Sequence, residues 1–209
     1  MKTLLISLLI LTGVGFDNGT ISNPKPGGIS VLTVDPAQST VAWKAEKTTG
    51  KHLGTVKIQS GSLTMYCGQL AKGTVLIGMQ TLEVTDLSAP DKQKLENNLK
   101  GDNFFDTGKF PQATLDIISV DHRSEAAHHF VTVLSNLTLH GITKQMVFTA
   151  DIAKSTRTDF IGQADITINR RDFNIATDNI KYDTFIYKDI HLHVLLQANK
   201  KADEQVSSL

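Results

Sequence analysis

The chain has one cysteine, Cys67, among 209 residues, so no internal disulfide can form and stability must come from core packing. A lone cysteine in strand-like sequence reads as a small buried or half-buried hydrophobe. Lys plus Arg and Asp plus Glu each number 21, which leaves no one-signed field to draw nucleic acid or anionic lipid. No apolar run reaches the roughly 20 residues that a membrane-spanning helix needs. There is no G-x-S-x-G elbow, no H-E-x-x-H and no phosphate loop, and the acidic residues are dispersed without a paired-carboxylate pattern. His191 and His193 have a metal-compatible spacing, but no third ligand accompanies them, so they read as an outward-facing alternation against Leu192 and Val194. These absences point away from an enzyme and from a metal site.

What is present begins with an export pattern. Met1-Lys2-Thr3 precedes an apolar run from Leu4 to Val14, with Gly13 and Gly15 offering a cleavage site. Residues 1–15 read as a signal peptide, which predicts a periplasmic or secreted protein. Loss of Lys2 with the signal leaves a net charge of minus one. Residues 16–30, rich in Gly, Asn, Ser and Pro, read as a disordered leader. Residues 31–198 fit one domain, and 199–209 a flexible polar tail.

Period-two alternation dominates the domain. Strands are predicted at 39–46, 52–59, 62–66, 73–79, 113–122, 129–139, 146–153, 160–168 and 190–197. His128-His129 reads as a hydrated hairpin tip. One wet face and one dry face imply an antiparallel sheet, which hides its edges best by closing on itself. One segment breaks the pattern. Ser88-Ala89-Pro90-Asp91 looks like a helix start with Ser88 as N-cap, and Leu95 and Leu99 lie one turn apart before Gly101. This helix is predicted to rest its leucines on the barrel. A second short helical turn is expected near 171–175. The fold class is therefore all-β: an extended antiparallel eight-stranded β-barrel with one short α-helix inserted between strands.

Four segments, in order, carry a family likeness. Val34-Asp35-Pro36-Ala37-Gln38-Ser39 resembles a D-P-x-[HS]-S opening. Asp102-Asn103-Phe104-Phe105-Asp106 with Lys109-Phe110-Pro111 resembles an FFD…K[YF]P segment. Leu137 to Lys144 resembles LT-[IL]-x-G-[VI]-T-K, and Ile168 to Phe173 resembles [IL]-[ND]-R-x-[DE]-[FY]. Together they resemble the bacterial YceI-like proteins over about 32–197. Two positions depart from the pattern, Gln38 in place of His and Asn174 in place of Gly, although Asn tolerates left-handed backbone.

The resemblance implies a lipocalin-like periplasmic barrel without catalytic activity that holds a polyisoprenoid, typically of the quinone type. No cofactor other than such a bound lipid is implied. The partners implied are an isoprenoid or other long-chain lipid, a transient membrane contact and a possible homodimer, with no nucleic acid. The candidate cavity wall is Trp43, Val56, Ile58, Val75, Ile77, Phe104, Phe105, Val131, Val133, Phe148, Ile166, Ile168 and Phe173. Each would look equally right in a barrel filled by its own side chains, and Phe104 and Phe105 would equally serve to pin the helix. Head-group candidates are His140 and Arg170. Their structural alternatives are a turn beside Gly141 and an ion pair with Asp172. The rival reading of the whole is a non-catalytic interaction module with a filled core, acting in membrane stress response or respiration, with an apolar surface patch near Phe104.

Overall fold

The computed structural model describes residues 28–123, 129–176 and 186–201. The predicted signal peptide, nearly all of the leader, His128 and most of the tail lie outside the described residues. The elements run β1 (Ile29–Val34), β2 (Thr40–Lys47), β3 (Gly50–Tyr66), β4 (Gln69–Val84), α1 (Asp91–Lys100), β5 (Gln112–Asp121), β6 (Phe130–Leu139), β7 (Ile142–Ser155), β8 (Asp159–Asn169) and β9 (Ile186–Asn199). A 3₁₀ turn, Arg170–Phe173, follows β8.

All pairings are antiparallel, and the ring closes through β3–β4 and β2–β9. β1 and β2 share one stave. β1 pairs with β3 and β9 towards one end, while β2 pairs with the same two strands towards the other. The result is a closed eight-stave barrel. Each stave is paired on both sides, but the β7–β8 ladder is short, running only from Asp151↔Gln163 to Ser155↔Phe160. The break between β1 and β2 is the Asp35–Ser39 segment. Ala37 N–H donates to Asp35 Oδ1 at 2.9 Å. Gln197 N–H donates to Ser39 Oγ at 3.0 Å, and Asp35 N–H to the Gln197 carbonyl at 2.8 Å. The chain steps sideways here without losing its place beside β9.

Two strand predictions change. The segments 52–59 and 62–66 form one long strand, β3, whose register against β4 shifts near Gln59. A bulge, rather than a turn, absorbs the irregularity. Cys67 is exposed in the left-handed region (φ 53°) at the β3–β4 turn, not half-buried in a strand. The helix also begins later than expected. Ser88 makes no side-chain cap, and its carbonyl instead accepts the Lys92 N–H at 3.0 Å.

The two ends of the barrel differ. At the end reached by β1 and the β3–β4 turn, Leu32, Leu63 and Met65 are fully buried and Val133 and Phe160 nearly so. Large side chains fill that end. The opposite end is bordered by the β2–β3 hairpin, α1, the β6–β7 turn and the loop after β8, and it is not filled.

Candidate functional site

At this open end lies a cavity of about 430 Å³. Every strand from β2 to β9 except β7 contributes to its wall, together with α1 and the segment that follows it. The deep wall is apolar: Val41, Trp43 and Ala45 from β2, Val56 from β3, Ile77, Met79 and Leu82 from β4, Ala113 from β5, Leu137 and Leu139 from β6, Ile168 from β8, and Ile190 and Leu192 from β9. Leu95 and Leu99 look in from α1, as their one-turn spacing requires. Polar groups gather at the rim: Glu46, Lys47, Thr48, Thr49, His52 and Asn98. Small side chains at Ala45 and Ala113 hold this end open where the other end uses Leu, Met and Phe.

Of the anticipated wall residues, Trp43, Val56, Ile77, Phe104, Phe105 and Ile168 line the cavity. Ile58, Val75, Val131, Val133 and Ile166 are buried in the barrel without lining it, Phe148 is half-buried against the core, and Phe173 is buried beneath the 3₁₀ turn. Strand alternation reports whether a side chain points inwards but not its height along the axis. The cavity occupies one end, so alternation alone could not separate these sets. The wall residues missed include inward-facing Val41, Met79, Leu82, Leu137, Leu139, Ile190 and Leu192, which alternation could have offered, the two alanines, recognisable only by what they leave unfilled, and the rim group His52, whose partner Asp86 is far away in sequence. Phe104 is buried, so it forms no surface patch.

Trp43 owes its position to Gly54. The two residues pair across β2 and β3. The indole lies against the glycine, and its Nε1–H donates to the Thr55 carbonyl at 3.3 Å. A β-carbon at position 54 would collide with both the indole and the Glu83 carbonyl on β4. Gly54→Ala is therefore expected to cost about 3 kcal/mol, the upper end of overpacking penalties. Its melting temperature should fall by roughly 6–12 °C, and Trp43 emission should change. A variant that melts like the parent would show that the barrel wall gives way freely at this point.

The head-group candidates take structural positions. His140 has a positive φ of 52° in the β6–β7 turn. Its Nδ1–H donates to the Phe173 carbonyl at 2.9 Å, and its ring meets Phe110 edge-on at 4.7 Å. It does not line the cavity. A β-carbon on Gly141 would lie 2.6 Å from Phe110. Three of the four sequence motifs thus meet in one contact: the His140-Gly141 turn, Phe110 and Phe173. Arg170 does line the cavity, but its guanidinium is buried and donates to the carbonyls of Ile175, Ala176, Ile186 and Tyr187. Asp172 is exposed and takes no part in that set. On the outer face, His191 Nδ1 contacts Thr167 Oγ1 at 3.0 Å, and His193 Nδ1 contacts Asp165 Oδ1 at 2.8 Å. Among the described residues no group of three or more His, Cys, Asp or Glu is arranged to hold a metal ion.

A closed antiparallel barrel, filled at one end and carrying an apolar cavity under a short helix at the other, defines a calyx-type β-barrel. Comparison with known proteins gives the family. The YceI-like domain matches residues 32–198, and the chain belongs to that family. A UPF0312 protein of Yersinia enterocolitica is 33% identical over 88 residues, which is 40% of this chain and 44% of the relative. The match therefore spans less than half the length of the curated relatives. BcnA of Burkholderia cenocepacia superposes with a TM-score of 0.67 at 18% identity, covering 79% of this chain and 99% of that one. A polyisoprenoid-binding domain of Saccharophagus degradans, implicated in plant cell wall breakdown, gives 0.60 at 15% identity over 83% of this chain and all of that domain. At these identities the likeness is one of fold.

Proposed function

We infer that this protein is a periplasmic lipid carrier that sequesters or transports a polyisoprenoid amphiphile of the quinone type in its barrel, without catalysing a reaction on it. The observation that carries this reading is the apolar cavity at the open end, whose volume of about 430 Å³ falls within the roughly 300–1,000 Å³ typical of small-molecule sites. An apolar depth with a polar rim suits a molecule with a greasy chain and a polar end. The structural neighbour described as polyisoprenoid-binding supports the same ligand class.

The energetics favour a carrier over a sink. Burial from water at about 0.8 kcal/mol per CH₂ would yield roughly 30 kcal/mol for a chain of about 40 carbons. That exceeds the practical affinity ceiling of about 18–21 kcal/mol. Chain ordering and imperfect fit offset much of it, and the physiological donor is a bilayer already as apolar as the cavity. Exchange between membrane and barrel is then close to neutral. Because the cavity is confined to one end, a short isoprenoid fits directly and a long one must fold back or project from the mouth.

The direct check is extraction. Protein isolated from its native host without detergent is expected to release an apolar compound of isoprenoid mass into organic solvent, and native mass spectrometry is expected to show the complex. A folded protein that releases no lipid and takes up no prenylated quinone from vesicles would overturn the reading.

A further inference from the structure

One polar group at the cavity mouth has its hydrogen-bonding role fixed from outside. His52 points inwards on β3, on the same face as Gly54 and Val56, and lines the cavity. Its Nδ1 lies 3.0 Å from Asp86 Oδ2. The other oxygen of that carboxylate accepts the Leu53 N–H at 3.0 Å. Burial works to raise the Asp86 carboxyl, but the Leu53 N–H and the His52 hydrogen bond outweigh it and hold the group below the usual carboxylate range. Asp86 is therefore ionised at neutral pH and can only accept. The proton between the two side chains belongs to His52 Nδ1. In a neutral imidazole the second nitrogen, Nε2, is then an acceptor. Among the described residues no group donates to Nε2.

We propose that His52 Nε2 accepts a hydrogen bond from the polar end of the ligand, so that the cavity selects a hydroxyl-bearing isoprenoid (an alcohol, phenol or hydroquinone) over the carbonyl-bearing quinone of the same chain. This rests on the lipid-carrier reading and narrows its ligand class. Glu46 also lines the cavity as an acceptor, its carboxylate held by Lys44 Nζ at 2.9 Å, and a preference owed to it would survive Asp86→Asn. Lys47, Thr48, Thr49 and Asn98 at the same rim all carry donors, and both a hydroxyl and a carbonyl oxygen can accept from these. These four do not discriminate. The Nε2 lone pair of the neutral His52 imidazole does, because a carbonyl oxygen set against it finds no proton and loses its hydration for nothing.

The test uses a matched pair, decylubiquinol and decylubiquinone, titrated into the full chain under argon. Trp43 is the only tryptophan and lines the same cavity, so its emission reports binding. The wild type is expected to bind the quinol about tenfold more tightly, the value of one net hydrogen bond. In Asp86→Asn the amide oxygen still serves Leu53, and the amide N–H group faces His52 Nδ1. This drives the imidazole proton to Nε2, and the preference is expected to reverse towards the quinone. In His52→Phe the ratio is expected to approach one, which decides the matter should the Asn variant fail to fold. A purely structural role for the pair would weaken both ligands alike and leave the ratio unchanged. A wild-type ratio near one, or a ratio insensitive to Asp86→Asn in a folded variant, overturns this selectivity while leaving the carrier intact. Binding of neither compound overturns the carrier reading and this inference with it.

Discussion

Arg170→Ala is expected to lower the melting temperature by roughly 8–16 °C, corresponding to about 4 kcal/mol of lost stability at about 2–4 °C per kcal/mol. Arg170 is 1% exposed. Its Nη1 donates to Ile175 O at 3.0 Å and Ala176 O at 3.2 Å, its Nη2 to Ile186 O at 2.9 Å, and its Nε to Tyr187 O at 3.2 Å. Each such bond contributes about 1 kcal/mol net, and each carbonyl deprived of its donor inside the barrel bears a desolvation cost. The segment it holds is also conformationally demanding. Asn174 and Ala176 both have φ of 54°, a region that an alanine enters only under constraint. Arg170 therefore fixes the path of the chain from the end of β8, and anchors the start of β9 against it. Arg170→Lys keeps the charge but replaces a planar fork with a single ammonium, so it should recover less than half of the loss. Thermal unfolding followed by circular dichroism measures both. A drop below about 2 °C for the alanine variant would mean that the loop holds its shape without the arginine.

That role explains why the family motif around Arg170 was easy to recognise and hard to interpret. Sequence gave the residue type and its place after a strand, and both an ion pair with Asp172 and a contact with a ligand oxygen fitted that pattern. What decides is the set of carbonyls supplied by Ile175 and Ala176 on one side and Ile186 and Tyr187 on the other, which no local pattern announces. Fold class, by contrast, was legible because alternation is a local property repeated along nearly every strand. Its failures are local too. β1 begins at Ile29, directly after a Gly- and Pro-rich stretch that reads as leader. Gly61 reads as punctuation, yet β3 continues through it. There the missing β-carbon admits Val34 Cγ2 and the Thr74 carbonyl, each 2.8 Å from where that carbon would sit. The cavity was legible only in kind. Trp43, Val56 and Ile168 were identifiable as inward-facing, but Ile58, Val75 and Val133 satisfied the same rule. Vacancy arises from the difference between small and large inward residues at the two ends, which requires register as well as alternation. His52 shows the same limit. Its function depends on Asp86, which reaches it only because β3 and β4 pair, placing Leu53 beside Asp86 at the rim.

Ala113→Phe is expected to weaken binding of any isoprenoid at least 100-fold while leaving the barrel folded. Ala113 is 3% exposed, pairs with Ile77 across β4 and β5, and lines the cavity beside it. A benzyl group built from this position occupies space that the ligand chain would otherwise use. Loss of a few buried methylene contacts at about 0.8 kcal/mol each is enough for a 100-fold effect. Stability should stay within about 1 kcal/mol of the parent or rise slightly, because the added ring enters an open apolar space rather than a packed core. The control lies one residue along the same strand. Thr114 does not line the cavity, so Thr114→Phe adds the same ring outside it and should bind as the parent does. The pair separates two ways in which a barrel can associate with lipid. If the chain enters the open end, only the Ala113 variant loses it. If lipid merely coats the outer wall, Ala113→Phe should retain full affinity, and a folded variant that did so would remove the cavity from the account of function. Native mass spectrometry after incubation with farnesol distinguishes these results, because a retained ligand appears as a mass increment on the folded species and a displaced one does not.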